Sequence, residues 1–189
     1  MKKYAITEYV HRSIENHVAQ GSICVDATAG NGNDTLFLCN KVGETGFVLA
    51  MDIQEIAILN TRKKLEEHGL ENRVKLVCDS HIHMDQYMKR SSVDCIVFNL
   101  GYLPGGDHNL ATKAESSIEA MEKSLMLLKK DGLLSVTIYS GGDSGFEERD
   151  RVLEWMKNLD SRKYLVRATQ YINRENNPPL PVEIIKLKE

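Results

Sequence analysis

Short apolar runs and helix-like segments alternate along most of the chain, and this alternation limits the fold more than any other feature. The apolar runs cover residues 22–26, 46–52, 73–79, 93–99 and 133–139. Strand–helix alternation of this kind predicts parallel strands joined by helical crossovers. Because the runs are apolar almost throughout, both faces of the sheet are expected to be covered. Helices are predicted over residues 6–20, 33–42, 54–68, 84–89, 112–130 and 146–159.

The last two predicted strands, residues 164–172 and 182–188, have no helix between them. A parallel pair needs a longer crossover, so these strands are expected to form an antiparallel hairpin. The sequence therefore predicts a doubly wound α/β fold, with a mostly parallel seven-stranded sheet that ends in an antiparallel C-terminal hairpin. The length of 189 residues suits a single domain over residues 1–189.

Composition indicates the class of protein and its compartment, but not its function. With 42% hydrophobic residues, 27% charged residues and a net charge of −3, the chain has the balance of a globular protein and not of a purely electrostatic nucleic-acid binder. No run approaches the roughly 18 apolar residues of a membrane span. Cys24, Cys78 and Cys95 lie in apolar runs and are predicted to be buried free thiols. Reduced cysteines without an export signal favour a cytoplasmic protein.

A glycine-containing segment, VDATAGNGNDT at residues 25–35, follows the first predicted strand and opens a helix. In doubly wound folds this position binds the nucleotide part of a ligand. Gly30 and Gly32 permit a tight turn and a close approach of the backbone to a ligand, and Asp26 precedes them at the end of the strand. The dinucleotide pattern G-x-G-x-x-G lacks its third glycine, which is replaced by Thr35, and the Walker pattern is absent.

Two more carboxylates end the next two strands. Asp52 follows Gly32 by 20 residues, and a carboxylate at this spacing can accept hydrogen bonds from both ribose hydroxyls of an adenosine. Asp79 ends the third strand in the same way. Each carboxylate could instead cap the helix that follows it, and the sequence leaves both roles open.

The fourth strand runs into the segment NLGYLPGGDH at residues 99–108, whose glycines and proline predict a loop. Because it follows the carboxyl end of a strand beside the expected switch point, this loop is predicted to contact the substrate. The alternative is a structural loop in which Tyr102 packs as an ordinary apolar side chain.

These segments resemble those of amino-group methyltransferases. VDATAGNGNDT is similar to the DPFAGSGTT form of their cofactor loop, and NLGY is similar to their [DNS]-P-P-[YF] motif, although Leu100 and Gly101 replace both prolines. A mostly parallel sheet with a terminal hairpin is the outline of class I methyltransferases. With the tail YINRENNPP at residues 171–179, the whole chain resembles the bacterial YtqB-type family, once labelled as rRNA methylases. The resemblance implies S-adenosylmethionine as the cofactor. It also implies methylation of the 5-aminomethyl group on 2-thiouridine at the wobble position of tRNA, in the anticodon stem-loop.

The same resemblance implies roles for individual residues. Cofactor contacts are expected from Asp26, Ala27, Gly30, Asn31, Gly32, Asn33, Asp52, Gln54, Asp79, Ser80 and His81, with Asp79 near the adenine amino group. The catalytic candidates are Asn99, Leu100, Tyr102, Asp107 and His108. Substrate contacts are expected from Tyr102, Gly106, Tyr171, Arg174 and Asn176.

Methyl transfer from a sulfonium is an in-line displacement, so orientation and proximity are expected to supply most of the catalysis. Asn99 Oδ1 and the Leu100 carbonyl could aim the lone pair of an amine, and Asp107 or His108 could take its proton. His108 is equally consistent with a surface loop residue. Tyr102 and Tyr171 are candidates for stacking on unpaired bases. The helix at residues 112–130 could cover the sheet or form a homodimer contact, and the sequence leaves both open.

Other interpretations remain open at this point. HIHMDQ at residues 81–86 nearly matches the H-x-H-x-D-H motif of metal-dependent hydrolases, and His81, His83 and Asp85 are zinc-ligand types, but Gln86 replaces the last histidine. An NAD-dependent oxidoreductase would also use Asp52. A third possibility is a non-catalytic RNA-binding module, because a fold does not establish activity. Within the methyltransferases, ribosomal RNA and small amines are alternative substrates.

Overall fold

The computed structural model describes residues 5–101, 113–139, 145–175 and 177–188. The helices are α1 (Ile6–Glu15), α2 (Asn33–Val42), α3 (Glu55–Glu66), α4 (Ala114–Leu127) and α5 (Gly145–Lys157). The strands are β1 (Ile23–Asp26), β2 (Phe47–Asp52), β3 (Val74–Cys78), β4 (Val93–Leu100), β5 (Leu128–Ile138), β6 (Tyr164–Ala168) and β7 (Leu180–Lys186). Short 3₁₀ helices cover Glu71–Arg73 and His81–Gln86.

The strands form one sheet in the order β3-β2-β1-β4-β5-β7-β6. Strands β1 to β5 pair in parallel, whereas β7 is antiparallel to both β5 and β6. The predicted doubly wound sheet with an antiparallel C-terminal hairpin is confirmed. The order reverses between β1 and β4, and the carboxyl ends of these two strands therefore border the crevice in which such folds bind ligands.

Alternating side chains of the strands build a core on each face of the sheet. On one face, Val25 and Phe98 pack with apolar side chains of α4 and α5. On the other face, Cys24 and Val97 pack with side chains of α1, α2 and α3. Coverage of both faces explains why the strands are apolar throughout. Among the described residues, no helix is long and apolar enough to cross a membrane.

Several element ends differ from the sequence prediction. The largest difference is at residues 128–130, which were expected to finish α4 but begin β5. Leu128 pairs with Val93 of β4, and Lys129 forms an ion pair with Asp94, so sheet pairing overrides the helical pattern. The predicted helix at 84–89 is a 3₁₀ helix that begins at His81. In addition, α1 ends at Glu15 and β6 ends at Ala168, earlier than expected.

The cysteine prediction is wrong at one position. Cys24 and Cys95 are buried as expected, and Cys39 of α2 is buried with them. Cys78 is exposed. It ends β3, which is one of the two edge strands of the sheet and pairs with a neighbour on only one side.

Candidate cofactor and acceptor site

The loop after β1 is shaped by two glycines with left-handed backbones. Gly30 has φ 53° and Gly32 has φ 74°, a region that other residues enter at a cost in strain. A Cβ on Gly32 would lie 2.9 Å from the Cα of Thr61 in α3. Thr61 Oγ1 also donates to the Gly30 carbonyl oxygen at 3.2 Å. The close approach of this loop to α3 therefore depends on glycine at position 32.

Asp52, at the end of β2, joins this loop to the start of α3. One carboxylate oxygen accepts a hydrogen bond from the Gly30 N–H at 2.9 Å, and the other accepts one from the Gln54 N–H at 2.9 Å. The N-terminal residue that caps α3 is Gln54 and not Asp52. A carboxylate has about four acceptor positions, so these two bonds leave capacity for a bound ligand. The side chain of Ile53 beside it is 49% exposed.

Asp26 supports the same loop from beneath. Its side chain is fully buried, and it accepts hydrogen bonds from the Thr28 N–H at 3.2 Å and from Thr35 Oγ1 at 2.6 Å. Burial, helped by the negative charge of Asp34, raises the pKa of Asp26 to about 7. The structure thus gives Asp26 a loop-bracing position below the surface of the crevice.

The corner after β3 places Asp79, Ser80 and His81 next to Asp52, because the Asp79 N–H donates to the Asp52 carbonyl oxygen at 3.0 Å. The Asp79 carboxylate accepts hydrogen bonds from His83 Nδ1 at 2.9 Å, from the Ser80 N–H at 2.7 Å and from the Tyr87 hydroxyl at 3.0 Å. These bonds, led by that of His83, lower the pKa of Asp79.

His81 lies edge-on to Phe98, with ring centroids 5.6 Å apart. Its Nε2 is buried and has no hydrogen-bond partner among the described residues. Burial lowers the pKa of His81, which favours the neutral imidazole. An uncharged ring with one unused polar atom is suited to contact a ligand at this corner.

The remaining predicted cofactor residues tie the loop to its surroundings. Asn31 accepts a hydrogen bond from Asn60 Nδ2 at 3.2 Å, and Asn33 accepts one from Lys64 Nζ. The Ala27 N–H donates to the Val97 carbonyl oxygen at 2.9 Å. We call the ends of β1, β2 and β3, with residues 26–33, the cofactor side of the crevice.

Asn99, near the end of β4, faces the start of α2. Its backbone N–H donates to Thr28 Oγ1 at 2.8 Å, and its side-chain Nδ2 donates to Asp34 Oδ2 at 2.7 Å. The Leu100 carbonyl accepts a hydrogen bond from the Tyr139 N–H at 2.9 Å. One lone pair of this predicted acceptor for the substrate amine is thus already used by the sheet.

Sequence reasoning missed three residues around Asn99. Asp34 lies inside the glycine-containing segment but was assigned no role. His11 of α1 places its Nε2 2.7 Å from Asp34 Oδ1. Tyr139, at the end of β5, has its pKa raised by partial burial and by the charge of Asp34. The position of Asp34 in the motif was an available signal, whereas no local pattern pointed to His11.

The substrate-side residues Tyr171 and Arg174 lie in the connection between β6 and β7. Together with Arg149 of α5, they line a concave surface that also includes Gln170, Ile172 and Pro178. The connection begins at Thr169, whose hydroxyl lies 2.7 Å from the Tyr9 hydroxyl of α1. Tyr102, Gly106, Asp107, His108 and Asn176 lie outside the described residues. We call the ends of β4 and β5, with α1, Asp34 and the β6–β7 connection, the acceptor side.

The metal-hydrolase alternative receives no support. His83 is hydrogen-bonded to Asp79, and Asp85 lies 3.7 Å from Lys123 Nζ. Within the ranges that the structure describes, no three His, Cys, Asp or Glu side chains are grouped so that they could hold a metal ion.

Known proteins include relatives of this chain in sequence and in fold. The model of a family described as "Putative rRNA methylase" matches residues 48–185. The chloroplastic tRNA (mnm(5)s(2)U34)-methyltransferase of Arabidopsis thaliana is 34% identical, over 96% of this chain and 69% of the length of that protein.

Two crystal structures are similar over nearly their whole length. A "putative rRNA-methylase" from Clostridium thermocellum is 47% identical, with a TM-score of 0.93 over 96% of this chain and 97% of that chain. A "putative methyltransferase" from Streptococcus mutans, in complex with SAH, is 36% identical, with a TM-score of 0.87 over 96% of this chain and 97% of that chain.

Proposed function

Because this chain belongs to the family described as "Putative rRNA methylase", we propose that it is an S-adenosylmethionine-dependent methyltransferase. The proposed substrate is tRNA, and the proposed acceptor is the amine of 5-aminomethyl-2-thiouridine at the wobble position. The observation that carries the proposal is the crevice between β1 and β4, with Asp52 and the Gly30–Gly32 turn on one side and Asn99 on the other. The 34% identity to a tRNA (mnm(5)s(2)U34)-methyltransferase supports the choice of substrate.

The cofactor side fits an adenosine. Asp52 is fixed by two backbone N–H groups and keeps acceptor positions for ribose hydroxyls. Ile53 is half exposed next to it and offers an apolar surface to the adenine ring. His81 Nε2 supplies a buried polar atom without a partner among the described residues. The crystal structure with SAH from Streptococcus mutans supports the same cofactor class.

The bound cofactor supplies an electrophilic methyl group on a sulfonium sulfur. The protein must hold a neutral amine in line with that methyl group. Its contribution to catalysis is therefore the orientation and proximity of the reacting groups. Asn99 Oδ1 is directed away from Asp34, since Nδ2 is the atom that donates to it. This oxygen can accept a hydrogen bond from the amine and aim its lone pair. The proton that the amine loses is proposed to pass to Asp107, to His108 or to water.

The acceptor side offers a surface for RNA. Tyr171 provides an aromatic ring for stacking on an unpaired base, and Arg149 and Arg174 provide positive charge for phosphates. We propose that the β6–β7 connection holds the anticodon loop while the wobble base reaches Asn99.

The test is methyl transfer from labelled S-adenosylmethionine to tRNA from a strain that lacks this gene, followed by mass spectrometry of the nucleosides. A new methyl group on 5-aminomethyl-2-thiouridine is the expected result. Asn99→Ala should lower turnover by about a hundredfold through lost orientation, with unchanged affinity for S-adenosylmethionine by calorimetry. Asn158→Ala changes an exposed asparagine directly after α5 whose side chain donates to Glu154, and it serves as the matched control.

Methylation of ribosomal RNA or of a small amine, with no label in tRNA, would overturn the substrate and keep the cofactor. Failure to bind S-adenosylmethionine would overturn the proposed function altogether. Unchanged turnover in Asn99→Ala would show that the amine is aimed by another group.

A further inference from the structure

Asn99 is one end of a hydrogen-bonded chain that reaches α1. Asp34 stands in the middle, with one carboxylate oxygen 2.7 Å from Asn99 Nδ2 and the other 2.7 Å from His11 Nε2. The Asp34 side chain is 15% exposed and that of His11 is 20% exposed. These contacts join β4, α2 and α1 at the point where the acceptor is expected.

The chemistry of a carboxylate fixes the direction of both bonds. An ionised carboxylate only accepts hydrogen bonds, so Asn99 must turn its NH₂ group toward Asp34. Its Oδ1 is then turned away from Asp34 and keeps its capacity to accept a hydrogen bond from an amine. For the same reason His11 must carry a proton on Nε2, the atom that faces Asp34.

Neighbouring side chains hold His11 in place. Its ring stacks on Phe37 with a centroid distance of 3.8 Å and an interplanar angle of 6°. Helix α1 is held against the hairpin by Tyr9, which contacts Thr169, and by Ser13, which donates to Glu183 of β7. The N-terminal helix therefore presents a histidine to the site from a fixed direction.

We propose that Asp34 is a positioning residue that orients the Asn99 amide for the acceptor, and that His11 holds Asp34 in place. The inference rests on the proposed function, since it assigns the purpose of the oriented oxygen. Neither residue touches the reacting atoms. Without Asp34, the Asn99 amide can rotate and present its NH₂ group, which repels the N–H groups of an amine.

The first experiment reads the orientation without any substrate. Side-chain amide resonances are recorded by ¹⁵N NMR, and the Asn99 pair is assigned as the one that disappears in Asn99→Ala. In the unmodified protein, one proton of this pair should lie downfield because it is bonded to a carboxylate. In Asp34→Ala it should move upfield to the range of exposed amides. An Asn99 pair that stays unchanged in Asp34→Ala would overturn the inference.

The second experiment reads catalysis. His11→Ala should lower kcat for tRNA by about tenfold, while KM for S-adenosylmethionine stays within about twofold. His11→Gln should restore most of kcat, because its amide nitrogen can donate to Asp34 as Nε2 does. His17→Ala is the matched control, since His17 lies after α1 and bonds to the Asp131 carbonyl near the start of β5. Equal losses in His11→Ala and His11→Gln would contradict the role.

A double-mutant cycle joins the two residues. Asp34→Ala should lower kcat by about a hundredfold alone and by less than about threefold in an Asn99→Ala background, because coupled residues are not additive. Additive losses would overturn the inference. If Asp34→Ala does not fold, the His11 variants still test whether Asp34 positions Asn99. Absence of any methyl transfer to tRNA by the unmodified protein would overturn the proposed function, whereas the NMR experiment would still decide the orientation of Asn99.

Discussion

The two sides of the crevice are built in different ways. On the cofactor side, the key contacts involve the backbone: Asp52 accepts from the N–H groups of Gly30 and Gln54, and the turn depends on left-handed glycines. On the acceptor side, side chains from distant segments meet, as in the pairs His11–Asp34 and Tyr9–Thr169. The glycine turn and Asp52 belong to a motif with a fixed spacing along the chain, whereas the acceptor-side contacts join segments that meet only when the whole sheet has assembled. We therefore expect substitutions on the two sides to change different measurable quantities.

The largest effect is expected from Gly32→Ala on the cofactor side. The new Cβ would meet the backbone of α3 at 2.9 Å, and the residue would keep a left-handed φ. Overpacking and strain together should lower the free energy of unfolding by about 2–4 kcal/mol. Affinity for S-adenosylmethionine should fall with it, because the loop can no longer approach α3. Urea denaturation and calorimetry measure the two effects.

Gly69→Ala separates strain from contact. Gly69 also has a left-handed backbone, with φ 65°, but a Cβ there would meet nothing within 4 Å. It should lower the free energy of unfolding by only about 1 kcal/mol and leave cofactor affinity unchanged. Equal effects at positions 32 and 69 would mean that the contact between the loop and α3 has no special importance.

A pair of tyrosines compares the two sides directly. Tyr9→Phe removes a hydroxyl that lies 2.7 Å from Thr169 Oγ1 on the acceptor side, and Tyr87→Phe removes one that donates to Asp79 on the cofactor side. Each loss of one hydrogen bond should lower stability by about 1 kcal/mol. Tyr9→Phe should reduce kcat for tRNA by about threefold, and Tyr87→Phe should weaken cofactor binding by about threefold. Steady-state kinetics measure kcat, and calorimetry measures cofactor affinity. If both variants changed the same one of these two quantities, the two sides of the crevice would not differ in function.

The same contrast explains what the sequence could predict. The sheet and most helix bounds follow from hydrophobic periodicity, which is local, and α2 begins and ends where the pattern predicts, at Asn33 and Val42. The start of β5 could not be predicted in this way, because Leu128 becomes a strand residue only by pairing with Val93. The exposure of Cys78 likewise follows from the position of β3 at the sheet edge, which strand order alone decides.

In the site, the glycine turn and the strand-end carboxylates were predictable because each is a short motif with a fixed spacing. His11 was not, because it approaches Asp34 only after α1 has packed on the sheet. The unused atom of His81 also depends on tertiary packing, since no local motif reveals the contact between His81 and Phe98.

The last prediction concerns Asp26, whose pKa couples the two sides of the crevice through the charge of Asp34. Its folded-state pKa is about 7, raised from 3.8 by burial and by Asp34. Asp26 in the unfolded chain loses its proton near pH 4, whereas in the folded protein it keeps the proton until about pH 7. Between these values the unfolded state binds fewer protons, so rising pH lowers the free energy of unfolding. Asp26→Asn removes this titration. The stability of the unmodified protein relative to the variant should therefore decline from pH 5 to pH 7 and level off above it.

Asp160→Asn provides the control for this measurement, because hydrogen bonds from Arg162 lower the pKa of Asp160 to about 2. The stabilising effect of the ionised Asp160 carboxylate is complete above its unfolded-state pKa and disappears only as the pH falls toward 2. The difference in stability between the unmodified protein and Asp160→Asn should therefore be constant between pH 5 and pH 8. Urea denaturation at four pH values measures both variants. A flat curve for Asp26→Asn as well would mean that Asp26 is ionised in the folded protein at pH 5. Burial and the negative charge of Asp34 would then be too weak together to keep the proton on Asp26 at that pH.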